Sequence, residues 1–133
     1  MSDPLEELSR RASEEPFAKK LGIRVVELRP GYAAVEMAVG RELTNIHGMI
    51  HGGALFSLVD AAFELASNSH GEMAVALNMN ITFHRPPRIP GTLRAEAREI
   101  SLGRRVGTYL IEARDAEGLV ATCQALAYRK TRP

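Results

Sequence analysis

Tryptophan is absent from this 133-residue chain and cysteine occurs once, at Cys123. A lone cysteine has no partner within the chain, so no internal disulfide framework is expected. Long apolar runs are missing too: no segment approaches the roughly 18 uninterrupted apolar residues that mark a membrane span. The N-terminus "MSDPLEELSRRASEEPF" mixes acids with arginines where a signal peptide requires an apolar run. The expectation is a soluble, cytoplasmic protein with no membrane partner. Charge of one sign is also lacking. Seventeen Lys+Arg against sixteen Asp+Glu leave a net +1, and three Tyr and four Phe offer little for bases to stack on, so no nucleic-acid partner is expected. Neither a glycine-rich phosphate loop nor a GxSxG elbow occurs, which argues against a nucleotide-dependent enzyme or a serine hydrolase. What remains is a globular composition, 45% apolar and 25% charged, at a length suited to one domain over residues 1–133.

Residues 1–20 read as a helical arm. Asp3 can cap it, Pro4 suits the first helical position and Glu6 completes a capping box. The short turn "PFAKKLG" ends at Gly22, and the arm is expected to order the fold or touch another copy rather than to catalyse. "IRVVEL" and "AAVEMAV", separated by "RPGY", read as a hairpin. A loop without sustained period then delivers the chain to its most apolar segment. Over residues 52–67, Leu55, Leu58, Val59, Ala62 and Ala66 recur at helical spacing, extended by Phe56 and Phe63. The opposite face holds only Ser57, Asp60, Glu64 and Ser67, so the helix belongs in the middle of the molecule.

The main strands follow, over residues 73–129. Val75, Leu77, Met79, Ile81 and Phe83 alternate with smaller or polar residues, which predicts a strand with one buried face. "RPPRIPG" breaks the run. "TLRAEAREISL" resumes it, and a change of phase at Ile100 predicts a bulge near Glu99. "RVGTYLIEA" and "LVATCQALAY", joined by "RDAEG", complete an antiparallel set. The sum is an α+β domain with helix and sheet segregated. One helix against one sheet leaves a surface of each bare, and edge-to-edge pairing with a second copy is the simplest cover.

An aspartate on the middle of a buried helix is costly when charged and unpaired, so Asp60 has either partners or a job. Gly52 and Gly53 suggest the job. The first turn of a helix carries backbone N–H groups without internal acceptors, and two residues without side chains let a ligand oxygen approach them, as in an oxyanion hole. Eight residues separate Gly52 from Asp60, about 12 Å along a helix. If both act on one bond, they come from different subunits with antiparallel helices. Donors at the helix terminus are expected to keep Asp60 ionised against the effect of burial.

Asn45, Gly48, His51, Gly52, Gly53, Leu58, Asp60 and Ala62 form the pattern N-x-x-G-x-x-H-G-G-x-x-x-x-L-x-D-x-A. This resembles the signature of hotdog-fold acyl-CoA thioesterases of the phenylacetate-degradation type, and the likeness runs through "VALNMNITFHRP" and "SLGRRVGTY". The resemblance implies a curved antiparallel sheet wrapped around one long central helix, in homodimers and often homotetramers. It implies an acyl-CoA substrate and no cofactor beyond the coenzyme A the substrate carries. Asp60 would be general base or nucleophile, the Gly52 N–H of the facing subunit would polarise the thioester carbonyl, and Asn45 and His51 would assist. Gly53, Phe56, Phe63 and Glu64 would line the substrate site. Relatives often place a hydroxyl on the strand after the helix to orient water; the matching position here is Ala76, with Asn78 a substitute. Arg85, Arg104 and Arg105 would meet the phosphates of coenzyme A. His47 and His51 lie four apart, but no acid stands between them as in zincins and Gly48 weakens any helix there, so no metal is expected. Two rivals remain open: a non-catalytic acyl-CoA-binding module, and an enoyl-CoA hydratase or dehydratase on the same fold.

Overall fold

The computed structural model describes residues 3–130. Helix α1 (Pro4–Glu14) starts at Asp3, whose carboxylate accepts from the Leu5 N–H at 3.3 Å. α2 (Pro16–Leu21) stops at Gly22, which adopts the left-handed conformation at φ 73°. β1 (Arg24–Arg29) and β2 (Tyr32–Val39) form a hairpin. A 3-10 turn (Arg41–Leu43) and a loop lead into α3 (Gly52–Ser67), followed by β3 (Met73–Phe83), β4 (Gly91–Leu102), β5 (Val106–Asp115) and β6 (Gly118–Lys130).

The six strands make one antiparallel sheet in the order β1-β2-β4-β5-β6-β3. After β2 the chain crosses the inner face as α3 and re-enters the sheet at its far edge as β3. Small side chains explain how the sheet closes on the helix. Ala33, Ala95, Ala113, Ala125 and Ala127 are buried on the strands, so the backbone can approach Leu58, Val59, Ala62 and Ala66 of α3. Phe63 fills the larger gap and meets Tyr109 edge-on, with ring centroids 5.5 Å apart.

The two sheet edges are treated differently. β1 is six residues long and bears the pairs Arg24–Glu36 and Arg29–Glu27, at 2.8 and 2.7 Å, while α1 packs against it. β3 has eleven residues and pairs only with β6. It also departs from the single buried face expected of it. The register shifts between Ala76 and Asn78, so Leu77 is extra and the phase turns over there. Met79 and Ile81 pack toward the core, whereas Val75, Leu77 and Phe83 stand 37%, 56% and 50% exposed. The one bulge expected from the sequence, near Glu99, is present as a register shift between Glu99 and Ser101.

Arg85 belongs to this framework. Its guanidinium donates to both carboxylate oxygens of Asp115, at 2.5 and 3.0 Å, and to the Gly118 carbonyl at 3.1 Å, fastening the β3–β4 connection to the β5–β6 turn. The guanidinium and the N–H groups of Arg88 and Glu117 hold the Asp115 carboxyl well below the usual carboxylate range. Arg85, expected near the coenzyme A phosphates, thus already has a structural role, its two terminal nitrogens being shared with Asp115 and Gly118.

Truncating Phe63 removes a 1%-exposed ring from the centre of this packing. Phe63→Ala is expected to destabilise the fold by about 3–5 kcal/mol, read from urea unfolding midpoints.

Candidate active site

The loop before α3 is built by Asn45. Its side-chain oxygen accepts from the N–H groups of His47 and Met49, at 2.8 and 3.1 Å, and its own N–H donates to the Met49 carbonyl at 2.7 Å. Gly48, at φ 77°, makes the reversal possible. The amide nitrogen of Asn45 makes no hydrogen bond among the described residues and remains available as a donor. The His51 N–H then ties the loop back to the Leu43 carbonyl at 2.8 Å.

His51 is the N-cap of α3. Its Nδ1 accepts from the Gly53 N–H at 2.8 Å, so Nδ1 is unprotonated and the neutral ring carries its proton on Nε2. The two glycines therefore have different purposes. A Cβ on Gly53 would lie 3.0 Å from His51 Nδ1, so glycine there preserves the cap. A Cβ on Gly52 would meet only the Phe83 ring at 3.6 Å, an ordinary contact, and neither glycine has positive φ. Nothing within the protomer requires Gly52 to lack a side chain. Its N–H, unlike that of Gly53, has no acceptor among the described residues. A free backbone donor at a helix N-terminus, on a residue without a side chain, suits an incoming oxygen.

Further along α3, Gly53, Ser57, Asp60 and Glu64 share one face at i, i+4, i+7 and i+11. Ser57 donates to the Gly53 carbonyl at 2.7 Å. Ser67, expected on this face, is instead buried and donates to the Glu64 carbonyl at 3.2 Å. Burial and then the nearby Glu15 carboxylate raise the Asp60 pKa, and no hydrogen bond among the described residues offsets them. The expectation that helix-terminus donors hold it down is not met in the protomer, because those donors lie on the same helix two turns away. Glu64 is pushed up to about 8 by burial, by Glu15 and by Asp60, although solvent still reaches it and damps the effect. Glu15, at the junction of α1 and α2, thus completes a crowded trio of carboxyl groups.

Beside this face runs a groove of about 310 Å³. Gly53, Ala54 and Ser57 border it on α3, His51 lies at the helix entry, and Phe17, Leu21 and Leu43 stand opposite. Among the described residues, no three His, Cys, Asp or Glu side chains converge as a metal site.

Residues 47–122 match the family model of the thioesterase superfamily. The chain belongs to that family. It is 44% identical over 110 residues to a putative esterase of Archaeoglobus fulgidus, covering 82% of this chain and 71% of that protein. It is 44% identical over 95 residues to the acyl-coenzyme A thioesterase PaaI of Escherichia coli, covering 71% and 68%. The structure of E. coli PaaI superimposes with a TM-score of 0.85 at 36% identity, over 93% of this chain and 96% of that one. The protein is a thioesterase, a hydrolase of thioester bonds, with the hotdog arrangement of a sheet around a central helix.

Within the thioesterase protomer, Asn45, His51, Gly52 and Gly53 gather at the α3 N-terminus, while Asp60 and Glu64 lie farther along. Phe56 is half-buried, and Phe63, 1% exposed, packs in the core. Asn78 sits opposite Leu126 on the outer sheet face, whereas Ala76, opposite the buried Ala127, is directed toward the helix side. The bulge between Ala76 and Asn78 sets the two residues on opposite faces of the sheet. Arg104 and Arg105 are exposed in the β4–β5 turn. Sequence reading missed Glu15, Phe17, Leu21 and Leu43; the one available signal was an aromatic, Phe17, inside the charged stretch "SEEPFAKK".

Asp60 and Glu64 together make a stability statement with a definite sign. A carboxyl whose folded pKa is raised favours folding at low pH, and that contribution is lost as pH rises from the ordinary carboxylate range. For Glu64 the upper end of this window is about 8. Glu64→Gln is expected to melt a few degrees above the wild type at the top of the window and level with it at about pH 4, measured by thermal denaturation at both ends.

Proposed function

We propose that the thioesterase hydrolyses acyl-CoA thioesters to free acid and coenzyme A in a site shared by two copies, with Asp60 from one and Gly52 from the other. One observation carries this reading: a free N–H donor and a carboxylate without hydrogen-bond partners stand on the same rigid helix, about 12 Å apart. That separation is too long for one thioester group. A second copy with α3 running antiparallel would bring each Asp60 near the other's Gly52. The long, apolar and unpaired β3 edge favours that partner, in contrast to the short charged edge at β1. The acyl-CoA substrate follows from similarity to E. coli PaaI.

In this reading Asp60, ionised, takes a proton from water as the water oxygen attacks the thioester carbonyl. The carbonyl oxygen gains negative charge and accepts a hydrogen bond from the facing Gly52 N–H. The free amide of Asn45 and the Nε2–H of His51 add donors nearby. Collapse of the tetrahedral intermediate breaks the C–S bond, and the proton held by Asp60 goes to the departing thiolate. Removing one such oxyanion donor typically costs about 10²–10³ in rate. Arg104 and Arg105 stand near the start of β3, beyond the C-terminus of α3. With antiparallel helices, that end of one copy abuts the Gly52 end of the other, so these arginines are suited to the coenzyme A phosphates.

Free-thiol release from aryl- and alkyl-CoA thioesters tests the reading. The wild type is expected to turn over members of the panel, and Asp60→Asn to lose about 10²–10⁴ in kcat/KM. Because the base works ionised and its pKa is raised, wild-type kcat/KM is expected to climb with pH through a midpoint above the ordinary aspartate value, a limb absent in Asp60→Asn. Full activity in Asp60→Asn would contradict the mechanism.

A further inference from the structure

We propose that Phe17 and Leu21 of α2, with Leu43 of the 3-10 turn, form the wall that selects the acyl group, and that this wall favours apolar, uncharged acyl groups with bulk. The inference rests on the acyl-CoA thioesterase reading and deepens it.

The groove is continuous with the chemistry. His51 and Gly53 border it together with Phe17 and Leu21. Its α3 side is made of Gly53, Ala54 and Ser57, which leave room, while the opposite side is made of large apolar residues. Phe17 and Leu21 lie four apart on α2 and share one face. Phe17 is 60% exposed, an apolar ring facing water beside the α3 N-terminus. Its position is nevertheless fixed. The neighbouring Ala18 is buried, its carbonyl accepts from the Ile23 N–H at 2.9 Å, and Gly22 closes the helix behind it.

The polar groups of the groove point to the chemistry of the occupant. The Ser57 hydroxyl donates to the Gly53 carbonyl and the Thr44 hydroxyl to the Arg41 carbonyl, both at 2.7 Å. Neither hydroxyl hydrogen is left to bind a polar tail. Glu42 is the one ionisable acid bordering the groove, and its charge repels an acyl chain that ends in a carboxylate. An apolar acyl group gains the contact area of Phe17, Leu21 and Leu43, while an acetyl group is too short to use it.

The test is steady-state hydrolysis of acetyl-, hexanoyl-, phenylacetyl- and glutaryl-CoA by the full chain, as wild type, Phe17→Ala and Phe17→Leu. Val26→Ala, at an exposed β1 position outside the groove, serves as a control. In the wild type, kcat/KM for phenylacetyl- and hexanoyl-CoA is expected to exceed that for acetyl- and glutaryl-CoA. Phe17→Ala is expected to reduce the phenylacetyl-to-acetyl ratio about ten-fold, chiefly through KM, with Phe17→Leu recovering part of it. Val26→Ala is expected to keep the wild-type ratio, and melting curves show whether each variant is folded. A folded Phe17→Ala enzyme with an unchanged ratio, including one slowed equally on every substrate, would overturn this inference and leave the thioesterase reading standing. Absence of thiol release by the wild type would overturn both.

Discussion

A helix is a rigid ruler, and in this protein it separates two groups that have no hydrogen-bond partners among the described residues. Gly52 offers a free N–H at the first turn of α3, and Asp60 offers a carboxylate two turns later, about 12 Å away. No side-chain rotation closes such a gap. If both groups act on one thioester, as proposed, that constraint makes the protomer half of an apparatus. The sheet curves around α3 because alanines line its inner face, leaving the strip of Gly53, Ser57, Asp60 and Glu64 outside the core. That strip is available to a partner and to a substrate.

The same strip is where the fold works against itself. Asp60, Glu64 and Glu15 crowd together, and burial with mutual repulsion raises the pKa of the first two. Two carboxylates elsewhere are well served. Asp115 is clasped by Arg85, and Glu99 accepts from the Tyr109 hydroxyl at 2.9 Å and lies 2.6 Å from His70 Nε2. Asp60, on the bare face, has no such partner among the described residues. Such an imbalance is characteristic of a site that holds reactivity at some cost in stability.

Much of this was legible because local patterns carried it. The apolar period from Leu55 to Ala66 defines α3, and the two glycines define its entry. A change of phase at Ile100 betrayed the bulge in β4, since the alternation visibly broke there. The bulge in β3 was hidden for the opposite reason. Val75 to Phe83 alternate without interruption, but β3 is an edge strand with apolar residues on both faces, so the extra residue Leu77 leaves no mark in the pattern. The structural role of Arg85 was not legible, because its partner, Asp115, lies thirty residues later, a distance only the fold closes. The groove was unreadable for the same reason: α2, the 3-10 turn and α3 meet there from three separate stretches of chain. The different purposes of Gly52 and Gly53 emerged only when the His51 cap was visible.

The shared site itself is tested most directly by complementation. Asp60→Asn and Gly52→Val chains, each expected to be inactive alone, can be co-expressed with different tags and the mixed oligomer purified through both. A mixed pair contains one site with both defects and one in which Asp60 and Gly52 are intact. The account predicts that the mixed oligomer regains thioester hydrolysis absent from either parent. A purified mixed oligomer as inactive as its parents would contradict it, because each site would then draw both groups from a single copy.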